Sequence, residues 1–255
     1  MLWRTFLCHF FVKKISFSKN TILALLLVIT ILLSCIIDAT IKFKVINAIP
    51  TSSSGSSISK IVVLDAGHGG EDCGAIGING VFEKNLNFDI TSIIGENLIS
   101  RGYNVIYTRT TDALLYTESE NIKGIRKISD LKNRVKIAEM NPNAVFISIH
   151  MNSFGDSKYS GLQVYYGIRN DESYSLAKHV QDSVRTMIQP NNNRKVKRGD
   201  KLFLLENISG VSILIECGFL SNAQECEKLS QKEYQKSLSF AIVCGIIEYM
   251  NEFSN

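Results

Sequence analysis

Residues 59–66 read Ser-Lys-Ile-Val-Val-Leu-Asp-Ala, and Gly67-His68-Gly69-Gly70 follow directly. The β-branched and apolar run is typical of a buried strand, and the glycine-rich stretch predicts a tight turn at its carboxyl end. Apolar residues three or four positions apart then predict a helix from Leu86 to Leu98. A buried strand, a glycine turn and a helix in this order indicate an α/β fold.

Strands and helices continue to alternate along the rest of the chain. Hydrophobic periodicity predicts further strands at 103–108, 144–149, 162–166, 202–205 and 211–215, and helices around 131–138, 176–187 and 238–250. Ser129 or Asp130 is expected to cap the second helix, and Gly102 to end the first. The segment 117–127 has no clear periodicity and is interpreted as an inserted loop. The sequence therefore predicts a single α/β domain over residues 59–252, with a mostly parallel mixed sheet flanked by helices.

The net charge of +4 is concentrated at the N-terminus. Residues 1–59 hold six Lys or Arg and one Asp, so the remaining residues carry a formal charge of −1. A near-neutral folded part lacks the basic surface expected of a nucleic-acid-binding protein. We therefore exclude nucleic acid as a partner.

The N-terminal residues predict a membrane anchor. Residues 21–37 are seventeen residues without a charge, just long enough to cross a hydrocarbon core of about 30 Å. More basic residues precede this run than follow it, which places residues 1–20 in the cytoplasm as a basic tail and the rest of the chain outside. Residues 38–58 are interpreted as a linker. Whether the anchor is cleaved, or lipidated at Cys35, stays open.

Four polar residues lie where strands end or a helix begins. His68 follows the first strand, His150 follows the strand 144–149, and Glu216 follows the strand 211–215. Glu83 opens the first helix. Two His and one Glu from separate elements match the set of a catalytic zinc site with a fourth position open to water, and a further carboxylate can serve as general base or acid. The alternative is that the histidines are turn or core residues and that Glu83 only favours the helix dipole.

Four groups of residues occur in a fixed order along the predicted domain. They are Leu64-Asp65-Ala66-Gly67-His68-Gly69-Gly70 with Asp72, Gly74-Ala75 and Glu83-Lys84; Thr108-Arg109 with Asp112, Asp130-Leu131 and Arg134; Ser148-Ile149-His150-Met151-Asn152; and Glu216-Cys217-Gly218-Phe219-Leu220-Ser221-Asn222. In these groups the sequence resembles the zinc-dependent N-acetylmuramoyl-L-alanine amidases of the amidase-3 type. Four ordered motifs are far more specific than any one of them alone.

The resemblance implies a role for each site residue. His68, Glu83 and His150 would bind Zn²⁺, and Glu216 would be catalytic. The reaction would be hydrolysis of the amide bond between the lactyl group of muramic acid and L-alanine in peptidoglycan. Asn152 and Arg134 are candidates for contacts with substrate or with the ligands, although a helix-surface charge is an equal alternative for Arg134. The basic run 194–198 is interpreted as a solvated loop.

Within this family the sequence looks most like the germination-specific, spore-cortex group. That likeness implies a role in forming muramic-δ-lactam, an activating lipoprotein partner and a muramic-acid deacetylase acting in the same process. The alternatives are a general autolysin or cell-separation amidase, a non-catalytic peptidoglycan-binding module on the same fold, and a different zinc hydrolase.

Overall fold

The computed structural model describes residues 60–252. The predicted tail, anchor and linker lie outside the described residues, as do residues 253–255. Among the helices of residues 60–252, none combines the length and the apolar character that a membrane span requires.

The described residues form one six-stranded sheet with the order β2-β1-β3-β6-β4-β5. Its strands are β1 Ile61–Ala66, β2 Asn104–Tyr107, β3 Val145–Asn152, β4 Gln163–Tyr166, β5 Lys197–Arg198 and β6 Ser212–Phe219. β1 pairs in parallel with both β2 and β3, and β3 pairs in parallel with β6. β4 runs antiparallel to β6 and parallel to β5. The predicted mixed, mostly parallel sheet is confirmed.

Helices cover both faces of this sheet. They are α1 Glu83–Ile99, α2 Arg126–Glu139, α3 Glu172–Met187, α4 Phe203–Asn207, α5 Ala223–Ser230 and α6 Lys232–Glu252. Alternate strand residues point to opposite faces. Val62 and Leu64 accordingly join the larger apolar cluster, which α1, α3, α5 and α6 also line, whereas Val63 joins a smaller cluster with residues of α2 and α4.

Two details of the predicted elements are wrong. Residues 202–205 were expected to be a strand, but Phe203–Asn207 form the short helix α4 with Leu204 and Leu205 buried. An apolar run of four residues fits a buried helical turn as well as a strand. The second helix begins at Arg126, so Ser129 and Asp130 lie inside it and do not cap it.

The carboxyl ends of β1, β3 and β6 meet at one edge of the sheet, because these strands are parallel neighbours. Ligands gather at this edge in open α/β sheets. His68, His150 and Glu216 are on it, and α1 brings Glu83 to the same place.

Candidate metal centre

The loop that carries His68 is held in an unusual backbone conformation. His68 has φ +62°, and Gly69 and Gly70 also have positive φ. This left-handed region is uncommon for residues other than glycine, and it costs on the order of 1–3 kcal/mol at such a position. Gly67 is needed for another reason: a Cβ there would lie 2.2 Å from two atoms of the His150 imidazole. The backbone of Gly67 and the ring of His150 are therefore in direct contact.

The three predicted metal ligands converge on a single carboxylate oxygen. His68 Nε2 lies 3.2 Å and His150 Nδ1 3.0 Å from Glu83 Oε1. One ligand atom from each residue can be chosen so that all three lie within 4.8 Å of one another. The sequence prediction that these residues come together is confirmed, and no other group of three potential metal ligands of this kind occurs among residues 60–252.

Glu83 is buried and ionised within this cluster. Burial raises the pKa of its carboxyl, but hydrogen bonds and charges from His150 and His68 outweigh that effect and hold the pKa well below its usual range. The backbone N–H of Met151 donates to Oε1 and that of Ala75 donates to Oε2, at 3.0 and 2.8 Å. The carboxylate is thus fixed in place by main-chain donors.

Asp72 orients the imidazole of His68. Its Oδ2 lies 2.9 Å from His68 Nδ1, the ring nitrogen that does not face Glu83. Burial lowers the pKa of His68, yet hydrogen bonds to Asp72 and Glu83 raise it to about 9. A carboxylate on the outer nitrogen of a metal-binding histidine fixes the ring and increases its basicity. Asp72 is part of the first motif, but the motif alone does not indicate its role.

Glu216 lies next to the cluster on β6, where it pairs with His150 of β3. Its Oε2 is buried, and no described residue forms a hydrogen bond with that atom. Burial raises the pKa of this carboxyl to about 7, which the charge of Glu83 also favours and those of His150 and His68 oppose. A carboxyl with this pKa can accept and release a proton near neutral pH.

The structure does not place Arg134 where a substrate could reach it. Arg134 is 1% exposed, and its Nη1 and Nε lie 2.5 and 2.8 Å from oxygens of Asp65 and Asp130. The same guanidinium donates to the carbonyls of Ala66 and His68, both at 2.9 Å. Burial excludes the surface charge considered from the sequence. The bond to the His68 carbonyl is a contact with a predicted ligand residue, which was the other alternative. Arg134 therefore fixes the backbone of the His68 loop.

Two further residues support the same loop, and their role was not predicted from the sequence. Asp65 is fully buried and accepts hydrogen bonds from Ser148 and Thr108. Arg109 is buried and donates to the carbonyl of Ala66 at 2.8 Å. The sequence did contain a signal for this network. Asp65 lies in a predicted buried strand, and a buried charge needs a partner such as an arginine from a later element.

Asn152 and the basic run 194–198 lie at the margins of the sheet edge that carries the candidate metal ligands. Asn152 is the last residue of β3 and is half-buried, with its carbonyl accepting from Leu220 at 2.8 Å. Its contact with substrate remains a prediction. The basic run is not wholly a solvated loop: Lys197–Arg198 form strand β5, and Arg194 is half-buried.

The chain matches the model of the Amidase_3 family, described as N-acetylmuramoyl-L-alanine amidase, over residues 62–248. It is 36% identical over 193 residues to the germination-specific N-acetylmuramoyl-L-alanine amidase of Bacillus subtilis, covering 76% of this chain and 81% of that protein.

Solved structures of similar proteins have the same fold. The CwlD amidase of Clostridioides difficile, determined in complex with the GerS lipoprotein, is 39% identical, with a TM-score of 0.72 over 75% of this chain and 98% of that one. The amidase AmiC2 of Nostoc punctiforme is 32% identical, with a TM-score of 0.65 over 77% and 99% of the two chains.

Proposed function

The chain belongs to the N-acetylmuramoyl-L-alanine amidase family, and we propose that it hydrolyses the lactyl–L-alanine amide of peptidoglycan with zinc held by His68, Glu83 and His150. The observation that carries this proposal is the approach of two imidazole nitrogens to one buried carboxylate oxygen, at 3.2 and 3.0 Å. The neighbouring Glu216 supplies a second carboxyl with a different proton affinity.

The residues present fit a zinc ion. Two imidazoles and one carboxylate form a donor set that zinc uses in hydrolases, and the three ligand atoms lie close enough together to share one ion. Asp72 on the outer nitrogen of His68 completes the arrangement typical of zinc-binding histidines. When bound, zinc lowers the pKa of a water molecule to about 7 and polarises the amide carbonyl.

Glu216 performs the proton transfers. As a carboxylate it accepts the proton of the attacking water. It then donates that proton to the nitrogen of L-alanine as the amide bond breaks, and so returns to its starting state. Its raised pKa suits both halves of this cycle, since the group must bind the proton and release it at neutral pH.

The biological substrate we propose is peptidoglycan of the spore cortex, where removal of stem peptides precedes formation of muramic-δ-lactam. The names of two relatives support this proposal: a germination-specific amidase and the CwlD amidase bound to the GerS lipoprotein. An activating lipoprotein and a muramic-acid deacetylase are the partners that follow from it. A general autolysin or cell-separation amidase is the alternative.

The proposed location is outside the cytoplasm, with residues 21–37 as the anchor. A reporter fused after Ser57 is expected to be active only outside the cytoplasmic membrane, because more basic residues precede the apolar run than follow it. Activity of the reporter in the cytoplasm would contradict a wall substrate.

The enzymatic proposal is tested by release of stem peptide from purified peptidoglycan. The wild-type protein with zinc should release peptides that begin with L-alanine, and Glu216→Gln should lower kcat by about 10²–10⁴ while zinc content is unchanged. Near-normal turnover by this variant would move the proton transfer to another group.

The cortex proposal has its own test. Spores lacking the protein should contain cortex without muramic-δ-lactam, as measured by mass spectrometry of muropeptides. Normal muramic-δ-lactam in such spores would favour the general autolysin.

A further inference from the structure

Arg194 is held rigidly in a turn that begins after α3. Arg185 of α3 donates from Nε to the carbonyl of Asn192 and from Nη2 to that of Arg194, at 2.8 and 2.6 Å. The side chain of the buried Asn192 accepts from the Arg194 N–H at 3.0 Å. These contacts fix the backbone from which the Arg194 side chain extends, so its position does not depend on a ligand.

The guanidinium of Arg194 is also fixed at its tip. Nε donates to the carbonyl of Ser160 at 2.8 Å and Nη1 donates to Gln163 Oε1 at 2.9 Å. Its Cζ lies 4.5 Å from the centre of the Phe219 ring. A planar cation that is stacked on an aromatic ring and bound through Nε and Nη1 has a fixed orientation, and its Nη2 donates to none of residues 60–252.

Arg194 contacts the last member of a series of residues paired across three strands, and this series includes Glu216. His150 of β3 pairs with Glu216 of β6, and Glu216 pairs with Gln163 of β4. Directly paired residues lie on the same face of a sheet. Gln163, to which Arg194 donates, is therefore on the face of Glu216. Strands are about 5 Å apart, so the guanidinium lies on the order of 10 Å from Glu216.

The positive charge of Arg194 has no ion-pair partner within residues 60–252. None of the salt bridges among them includes it. The nearby Glu225 is buried, and its carboxylate accepts from the backbone N–H groups of Gly161 and Phe219. Burial raises the pKa of the Glu225 carboxyl and the charge of Arg194 lowers it through space, but the two groups form no salt bridge. The guanidinium is therefore free to bind a carboxylate from a ligand directly.

We propose that Arg194 binds a free carboxylate of the stem peptide and so selects acidic peptides over amidated ones. This inference rests on the proposed amidase function. Extended peptide spans about 3.3 Å per residue, and L-alanine occupies the cleavage position, so on the order of 10 Å brings the second or third residue of the stem to Arg194. The bond to be broken lies elsewhere, and Arg194 therefore determines affinity and not the rate of the chemical step.

The test compares muropeptides that differ only in a carboxylate. The zinc-loaded full-length enzyme is given substrates whose second residue is D-glutamate or D-isoglutamine, and a second pair in which the side-chain carboxylate of the third residue is free or amidated. Wild-type kcat/KM is expected to be about 10- to 100-fold lower for the amidated member of one pair, the usual effect of a lost hydrogen bond to a charged group. Arg194→Gln should remove this difference through a higher KM for the acidic substrate with kcat unchanged.

Two further variants separate binding from folding. Lys195→Gln changes an exposed charge in the same turn and should behave as wild type. Arg194→Lys keeps the charge without the planar fork and should recover part of the discrimination. Zinc content of all three variants should equal that of wild type. Arg194→Gln should lower Tm modestly, because it removes the hydrogen bonds to Ser160 and Gln163.

The possible failures are distinguishable. If the wild-type enzyme cleaves none of the four substrates, the proposed function is wrong. If it cleaves acidic and amidated substrates equally, or if Arg194→Gln keeps the discrimination, the role of Arg194 is wrong and the amidase function stands. A loss of zinc in Arg194→Gln, or an equal loss of activity toward acidic and amidated substrates, would show that the residue is structural.

Discussion

Replacing Arg134 with glutamine should disorder the loop that carries His68 and should also lower the free energy of unfolding of the whole domain. The side chain is 1% exposed and neutralises Asp65, which is fully buried. Burial raises the pKa of the Asp65 carboxyl, but Arg134 and the hydrogen bonds from Ser148 and Thr108 hold it below its usual value. The substitution leaves this carboxylate buried without its counter-charge.

The expected magnitude follows from that burial. Removal of one partner of a buried ion pair costs about 3–5 kcal/mol, because the other charge stays in a poorly solvated place. In a domain of this size, 1 kcal/mol corresponds to about 2–4 °C in Tm, so we expect Tm to fall by about 6–20 °C. His68 also loses the donor to its carbonyl, and zinc affinity should therefore fall by about 10- to 100-fold.

Urea unfolding of the wild-type protein and the variant measures the change in free energy, and zinc titration measures the second effect. Lys132→Gln is the matched control, since Lys132 lies on the exposed side of the same helix and such changes usually cost less than about 0.5 kcal/mol. The double variant Asp65→Asn, Arg134→Gln should lose less stability than the sum of the two single variants.

The difference between wild type and Arg134→Gln should also depend on pH. In the wild type, the contribution of Asp65 is present above its unfolded pKa of about 3.9 and is lost as pH falls through the lower folded pKa. In the variant the buried carboxyl is destabilising once it ionises, so the gap should be widest near neutral pH and narrow below about pH 4. A loss no larger than that of Lys132→Gln, or a gap that is constant with pH, would refute this reasoning.

Two other substitutions test the support of the ligands. Asp72→Asn should lower zinc affinity by about 10- to 100-fold, because the Asp72 carboxylate orients the ring of His68; unchanged affinity in zinc titration would show that the orientation is set elsewhere. Gly67→Ala places a Cβ 2.2 Å from the His150 ring, so this variant should lose zinc binding. Gly155→Ala, where nothing lies within 4 Å of the added Cβ, should keep it. Equal zinc affinity in the two alanine variants would contradict the close contact of Gly67 and His150.

Much of this site could be predicted from the sequence because each ligand follows a strongly patterned element. His68 and His150 come directly after apolar strand runs, and parallel strands bring their carboxyl ends to one edge. The alternation of strands and helices was therefore enough to predict that residues more than eighty positions apart lie close together. Glu83 was identified from its place at the start of a helix and from the family motif.

The buried polar network could not be predicted because it depends on tertiary packing. Arg134 has the spacing of a half-exposed helix residue, and only the approach of its helix to β1 buries it against Asp65. Asp is a residue type common at helix N-caps, yet Asp130 lies inside the helix and pairs with Arg134, four residues later. For Leu204 and Leu205, a short apolar run carried no periodicity that could distinguish a helix from a strand.

Zinc content per chain, measured by mass spectrometry on wild type and on His68→Ala, Glu83→Ala and His150→Ala, tests the central claim most directly. The convergence of these three side chains predicts one zinc ion bound per wild-type chain. Each alanine variant should bind little or none and should release no stem peptide from peptidoglycan. Full zinc occupancy in all three variants would contradict the metal centre and the function proposed from it.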